Sequence, residues 1–109
     1  MEIRYKDKKI RALCETQAVA EKKLGAISAR KLKLRLLALE AVTRVTELVA
    51  GNPHPLKGNR LGQFALDLAG GWLLVFAPAN DPCPTHSDGS IEWSQITIIS
   101  IEFIGDYHE

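Results

Sequence analysis

Past its first few residues, the hydrophobic period of this chain changes once, near Gln63, and that change limits what the chain can fold into. Upstream, apolar residues recur every three or four positions, the spacing of helices with one buried face. Downstream they alternate, with Phe64, Leu66 and Leu68 set against Gln63, Ala65 and Asp67, which is the period of a strand. Helices followed by strands predict an α+β domain with helices packed on one face of a small sheet. At 109 residues the chain fits a single domain over 1–109, large enough to bury about two-thirds of the surface its unfolded form exposes.

Within that frame the elements can be placed. Ile3 and Tyr5 alternate with Arg4 and Lys6, predicting a first strand over residues 2–6. Asp7 can cap a helix in which Ile10, Leu13, Cys14, Gln17, Ala20 and Leu24 share a stripe, with a break near Thr16 compatible with the pattern. Gly25 is suited to a left-handed C-cap. Ser28 is the expected N-cap of the longest helix, whose stripe runs Leu32, Leu36, Leu39, Val42, Val45 and Val49 until Gly51-Asn52-Pro53 stops it. Two helices joined at Gly25-Ala26-Ile27 make a helical hairpin. Ala69-Gly70-Gly71 then turns a β-hairpin whose return strand, residues 72–76, is apolar on both faces, as a covered central strand would be. Residues 78–89 hold three prolines and read as an ordered loop. Residues 95–104 form the last strand, with Thr97, Ile99, Ile101 and Phe103 on one face and Ile98, Ser100 and Glu102 on the other.

A formal net charge of +1 does not announce a nucleic-acid binder, but the charges are unevenly spread. Lysines and arginines crowd the first third, Arg30, Lys33 and Arg35 among them, while Asp81, Asp88, Glu92, Glu102, Asp106 and Glu109 fall in the last. Such a distribution fits solvated helix faces, and it also fits a basic flank for RNA or an acidic partner. No apolar run approaches the roughly 18 residues that a membrane span needs, and the opening residues lack a secretion signal, so a cytoplasmic location without a membrane partner is expected. Cys14 and Cys83 have neither paired spacing nor neighbouring histidines, which predicts free thiols.

The histidines at 54, 86 and 108 share no ligand spacing, so neither a metal nor a cofactor is expected. The serines and cysteines carry no nucleophile motif. What remains is Lys57, Arg60, Tyr107 and His108, with His54 near the same loop. Cleaving RNA without a metal requires the 2′-hydroxyl to lose a proton, cations to stabilise the phosphorane, and the 5′-oxygen to gain a proton as it leaves. Lysine and arginine suit the second task, and histidine or tyrosine the other two. A Lys-Gly-Asn-Arg loop also serves as an ordinary soluble turn, and Tyr107-His108 as a frayed terminus, so the residues alone leave both readings open.

Several segments in order carry a resemblance. Leu56-Lys57-Gly58-x-Arg60-x-Gly62-Gln63-Phe64-x-Leu66-x-Leu68 is followed by Val75-Phe76-x-Pro78, then Asp88-Gly89-x-Ile91-x-Trp93, then Ile104-x-Asp106-Tyr107-His108. This order resembles the HigB-type plasmid-maintenance killer proteins of the RelE/ParE toxin superfamily. The resemblance implies a RelE-like microbial-ribonuclease fold, with an N-terminal strand and helical hairpin on a small, mainly antiparallel sheet. It further implies ribosome-dependent mRNA cleavage in the A site and neutralisation by a cognate HigA-like antitoxin with a helix-turn-helix, through which alone operator DNA would be reached. On that resemblance Lys57, Arg60, Tyr107 and His108 are the catalytic candidates, and His54 stands where related sequences carry histidine. Arg30, Lys33 and Arg35 are the candidates for contact with the ribosome. Leu73 departs from the family, whose strand carries an arginine there as a phosphate ligand, and Ala77 replaces a common glutamate. An attenuated toxin, a relative that only binds (antitoxin, DNA or gyrase), and a chain whose toxicity was removed by substitution all fit that departure.

Overall fold

The computed structural model describes residues 1–107. Four strands form an antiparallel meander: β2 (His54–Pro55), β3 (Phe64–Asp67), β4 (Trp72–Pro78) and β5 (Ile98–Asp106). The first strand, β1 (Glu2–Tyr5), adds to the far side of β5 in parallel, giving the order β1-β5-β4-β3-β2. Between β1 and β2 the chain forms α1 (Lys8–Glu15), α2 (Gln17–Leu24) and α3 (Ala26–Ala41). The fold is therefore α+β, as the change of period predicted, and its sheet is mostly antiparallel, as the resemblance implied. Among the described residues no helix is long and apolar enough to cross a membrane.

Helices start and stop for local reasons at the first two and for tertiary ones at the third. Asp7 caps α1, its Oδ1 accepting from the Ile10 amide at 2.9 Å. Thr16, extended at φ −122°, ends α1 and starts α2, so the break that the pattern allowed near Thr16 divides the segment into two helices. Its β-branched side chain disfavours helix interiors. Gly25 takes φ 85° and ψ 162°, positive in φ but extended in ψ, which is a region open to glycine alone and not the left-handed cap expected. α3 begins directly after it, at Ala26, so Ser28 lies buried inside the helix and is not its cap.

The expected continuation of α3 to Val49 is corrected by the structure: the helix ends at Ala41, well before Gly51-Asn52-Pro53. The Glu47 carboxylate accepts from the Thr43 amide at 2.7 Å and opens a 3₁₀ turn at Val45–Glu47. That turn sends Val45 into the core, where its amide reaches the Ile96 carbonyl, while Val49 is left 87% exposed. Burial of one valine against the sheet outweighed helical continuity.

Leu32, Leu36 and Leu39 of α3 meet Leu66, Leu74, Phe76, Ile99 and Ile101 across the interface between helices and sheet. Each such fully buried side chain stabilises the fold by about 1.5–3 kcal/mol. The last strand begins at Ile98, because Trp93–Gln95 forms another 3₁₀ turn. Its alternation also breaks. A bulge opposite Val75 and Phe76 pairs Phe76 with Ile101 but Val75 with Phe103. Phe103 is thereby moved off the helix-covered face, where alternation put it, and Ile104 takes the inward position opposite Leu74.

Candidate functional site

The face of the sheet opposite the helices carries the candidate site. Strand register sets His54, Ala65, Val75 and Phe103 in one row across it, and Asp67, Leu73 and Gly105 in the next. Leu56, Ala65, Leu73 and Val75 form a small buried cluster here, with Phe103 and Tyr107 packed against it. A Cβ on Gly105 would lie 3.1 Å from the end of the Phe103 ring, so the bare glycine lets that ring lean along its own strand. Phe103 and Tyr107 then meet edge to face with centroids 6.3 Å apart.

Arg60 comes to these rings from the loop between β2 and β3. Gly58 at φ 58° opens a 3₁₀ turn, Gly58–Arg60, closed by the Arg60 amide on the Lys57 carbonyl at 3.1 Å. The turn aims Arg60 back over the sheet, with its guanidinium carbon 4.7 Å from the Phe103 centroid and 5.3 Å from that of Tyr107. Gln63, three residues on, accepts from an Arg60 terminal nitrogen at 2.9 Å. Two rings and one amide thus fix the plane of a half-buried guanidinium, a preorganised donor for an oxyanion such as a phosphate. Lys57 begins the same turn with its side chain exposed.

Leu73, 8% exposed, packs beneath this group. The both-faces-apolar strand predicted that packing. His54 lies on the same face in edge strand β2, its Nδ1 donating to the Asn52 carbonyl at 2.7 Å, which leaves Nε2 as the nitrogen that can accept. His108, expected to join the set, lies outside the described residues.

The other three basic candidates are in the opposite layer. Arg30 and Lys33 are exposed on α3. Arg35 is engaged inside the fold, its Nε donating to the Asp67 carbonyl at 2.9 Å where β3 ends. The Asp67 amide in turn bonds to the Gly51 carbonyl, so Arg35 braces the segment that leads to His54 and the basic turn. The structure therefore brings Arg60 and Tyr107 together, sets Lys57 and His54 beside them, and separates Arg30, Lys33 and Arg35. Two members of the site escaped the sequence reading. Phe103 was hidden by the bulge, and Gln63 was read only as a strand residue, although its three-residue spacing from Arg60 was the available signal.

No protein-family model matches the sequence, and no curated protein matches it. Among solved structures, the chain is similar to a YoeB/ParE toxin from Agrobacterium tumefaciens, at 10% identity and a TM-score of 0.62. The match covers 99% of this chain and 100% of the other. At that identity the likeness is one of architecture, and this chain has the fold of that toxin from end to end.

Proposed function

We infer that this chain is a toxin of the RelE/ParE type, one half of a toxin–antitoxin pair, and that the open face of its sheet cleaves mRNA in the ribosomal A site. The observation that carries the reading is the Arg60 guanidinium held over Phe103 and Tyr107, a cation whose plane is fixed by two ring faces. Phosphate and nucleobase suit that group, since bases stack on guanidinium planes as they do on aromatic rings, and phosphates take charge-assisted donors. The fold shared with a YoeB/ParE toxin and the ordered resemblance of segments to HigB-type proteins support it independently.

In this reading the 2′-oxygen attacks the adjacent phosphorus and the bond from phosphorus to the 5′-oxygen breaks. Arg60, aided by Lys57, neutralises the charge that builds on the phosphoryl oxygens. Tyr107 and His108 exchange the two protons, one leaving the 2′-hydroxyl and one arriving on the 5′-oxygen. Leu73 favours a second reading, because it puts a buried hydrocarbon where related toxins carry a cationic ligand. A chain so altered would act by binding an antitoxin, or through it DNA, or gyrase, without cutting RNA.

Primer extension on a reporter mRNA translated in a cell-free system separates the two. Cleavage within A-site codons is expected, falling by roughly 10²–10³ in Arg60→Ala, the usual loss for one transition-state donor. Cleavage insensitive to Arg60→Ala would remove the site from this face. No cleavage by the chain at any concentration would move the assignment to the binding protein.

A further inference from the structure

A cleft that the proposed chemistry does not use runs beside β2, the edge strand, between the segment that carries the Arg60 turn and the loop that ends at Trp93. Its volume, about 690 Å³, is that of a small-ligand site. Leu56, Leu61 and Gln63 line it from the first segment, and Asp88, Ile91 and Trp93 from the second. Trp93 is held by Phe64, with ring centroids 4.8 Å apart, so the aromatic wall is anchored in the core. The loop is braced as well. The His86 amide bonds to the Ser90 carbonyl, Gly89 at φ 88° returns its amide to the His86 carbonyl, and His86 Nδ1 lies 3.1 Å from a Glu92 carboxylate oxygen.

Two polar groups on the walls select the occupant. Gln63 joins the cleft to the cation, because its Oε1 accepts from Arg60 while the residue lines the cleft. Its NH2 group is left as a donor. Asp88 supplies the acceptor. Its Oδ1 takes the hydroxyl and the amide of Ser90, which hold the carboxyl below the usual carboxylate range, and its Oδ2 accepts no hydrogen bond among the described residues. An apolar, aromatic slot joined to a guanidinium matches a nucleotide, with the base in the slot and the phosphate on the cation. Guanine suits the polar pair, since it offers an acceptor at O6 beside adjacent N–H donors at N1 and N2, whereas each other base offers a carboxylate one donor group. We propose that this cleft seats the guanine base of a nucleotide whose phosphate is bound by Arg60, with Asp88 accepting from N1 and N2 and Gln63 donating to O6.

This proposal rests on the reading of Arg60 as a phosphate ligand and adds to it a preference for guanosine at the nucleotide so held. The same chemistry arrives in two forms, as one nucleotide of an RNA strand or as free guanosine monophosphate.

The test is a binding measurement by nuclear magnetic resonance that does not pass through RNA cleavage. The chain holds two tryptophans, Trp93 in the cleft and Trp72 beside the junction of α2 and α3. Titrating the isotope-labelled chain with guanosine monophosphate should move the Trp93 indole N–H and leave that of Trp72 in place. Guanosine monophosphate is expected to bind at least tenfold more tightly than the adenosine, cytidine and uridine monophosphates, and Asp88→Asn to remove that preference. Asparagine keeps an acceptor for the Ser90 turn; circular dichroism checks the fold, and Asp88→Ser serves if the asparagine variant fails to fold. Arg60→Ala should weaken guanosine monophosphate but not guanosine, which has no phosphate. A short single-stranded RNA with one guanosine, the 2′-hydroxyl of that nucleotide removed to prevent cleavage, assigns the site to RNA if it binds more tightly than the monophosphate and to the free nucleotide if it does not. Equal binding of the four monophosphates, shifts that spare Trp93, or indifference to the Asp88 variants would each overturn the proposal, and A-site cleavage that still depended on Arg60 would then leave the reading of Arg60 standing. Guanosine bound as tightly as its monophosphate would overturn both.

Discussion

Leu73→Arg tests both the packing of the open face and its chemistry. Leu73 is 8% exposed and stands directly opposite Gly105 on β5 and Asp67 on β3. Removing it forfeits about 1.5–3 kcal/mol of apolar burial, of which the methylene stem of arginine recovers part by covering the same cluster. The new guanidinium would emerge near that of Arg60, an unfavourable neighbour, and across from the Asp67 carboxylate, a cross-strand pair that offsets about 0.2–1 kcal/mol. The expected net cost is about 1–2 kcal/mol, which a domain of ordinary stability, about 5–15 kcal/mol, survives folded. Against it stands a further transition-state cation beside Arg60 and Lys57, a gain of roughly 10²–10³ in rate. Urea denaturation should therefore show a lowered midpoint with an unchanged slope, and primer extension an increase in A-site cleavage well beyond the loss of folded protein. Leu73→Met, which conserves volume, should cost under about 1.5 kcal/mol and change cleavage little. A folded arginine variant that cleaves no better than the parent would refute the idea that Leu73 attenuates this face. An arginine variant as stable as the parent would refute the packing described for it.

Two further expectations concern the frame around the site. Gly51→Ala sets a Cβ 2.5 Å from the Arg35 Nε at φ 87°, so it should displace the brace on Asp67 as well as strain the backbone, whereas Gly58→Ala, at φ 58° with nothing within 4 Å, meets strain alone. The first should cost about 1 kcal/mol more than the second, the worth of one lost hydrogen bond, and equal urea midpoints would show that the Arg35 contact stabilises nothing. Burial lifts the Cys14 thiol from its ordinary 9.0 to about 12, with Glu15 adding to the rise, which leaves about a thousandfold less thiolate near neutral pH. Iodoacetamide should therefore modify Cys14 far more slowly than a free thiol until the fold is opened with urea, as read by mass spectrometry; rapid modification in the native state would contradict that burial.

Much of the fold was written in periodicity. The inward stripe of α3, the hairpin of β3 and β4, and the Asp7 cap are local patterns, and each formed where its residues placed it. What failed did so where local preference was opposed by distant groups. Val42 and Val45 kept helical spacing, yet a carboxylate at Glu47 and a slot beside Ile96 drew the chain out of the helix at Ala41. Phe103 kept strand alternation with Ile101, yet one bulged residue put it on the other face.

The sequence by itself determined the class of fold and which strand would be covered on both sides, because hydrophobic period and β-branched content act through neighbours a few residues apart. It also singled out Lys57 and Arg60 as candidates to meet a phosphate, and Tyr107 and His108 as candidates to move protons. Only the tertiary structure decided that Arg60 and Tyr107 would meet, since they lie on separate loops and strands and their approach depends on strand order, on the bulge that turns Phe103 outward and on the bare backbone of Gly105. The same is true of Arg35, which composition groups with Arg30 and Lys33 and which packing turned inward to a carbonyl 32 residues away. Charge is legible in sequence, but which layer a charge faces depends on contacts between residues far apart in the chain.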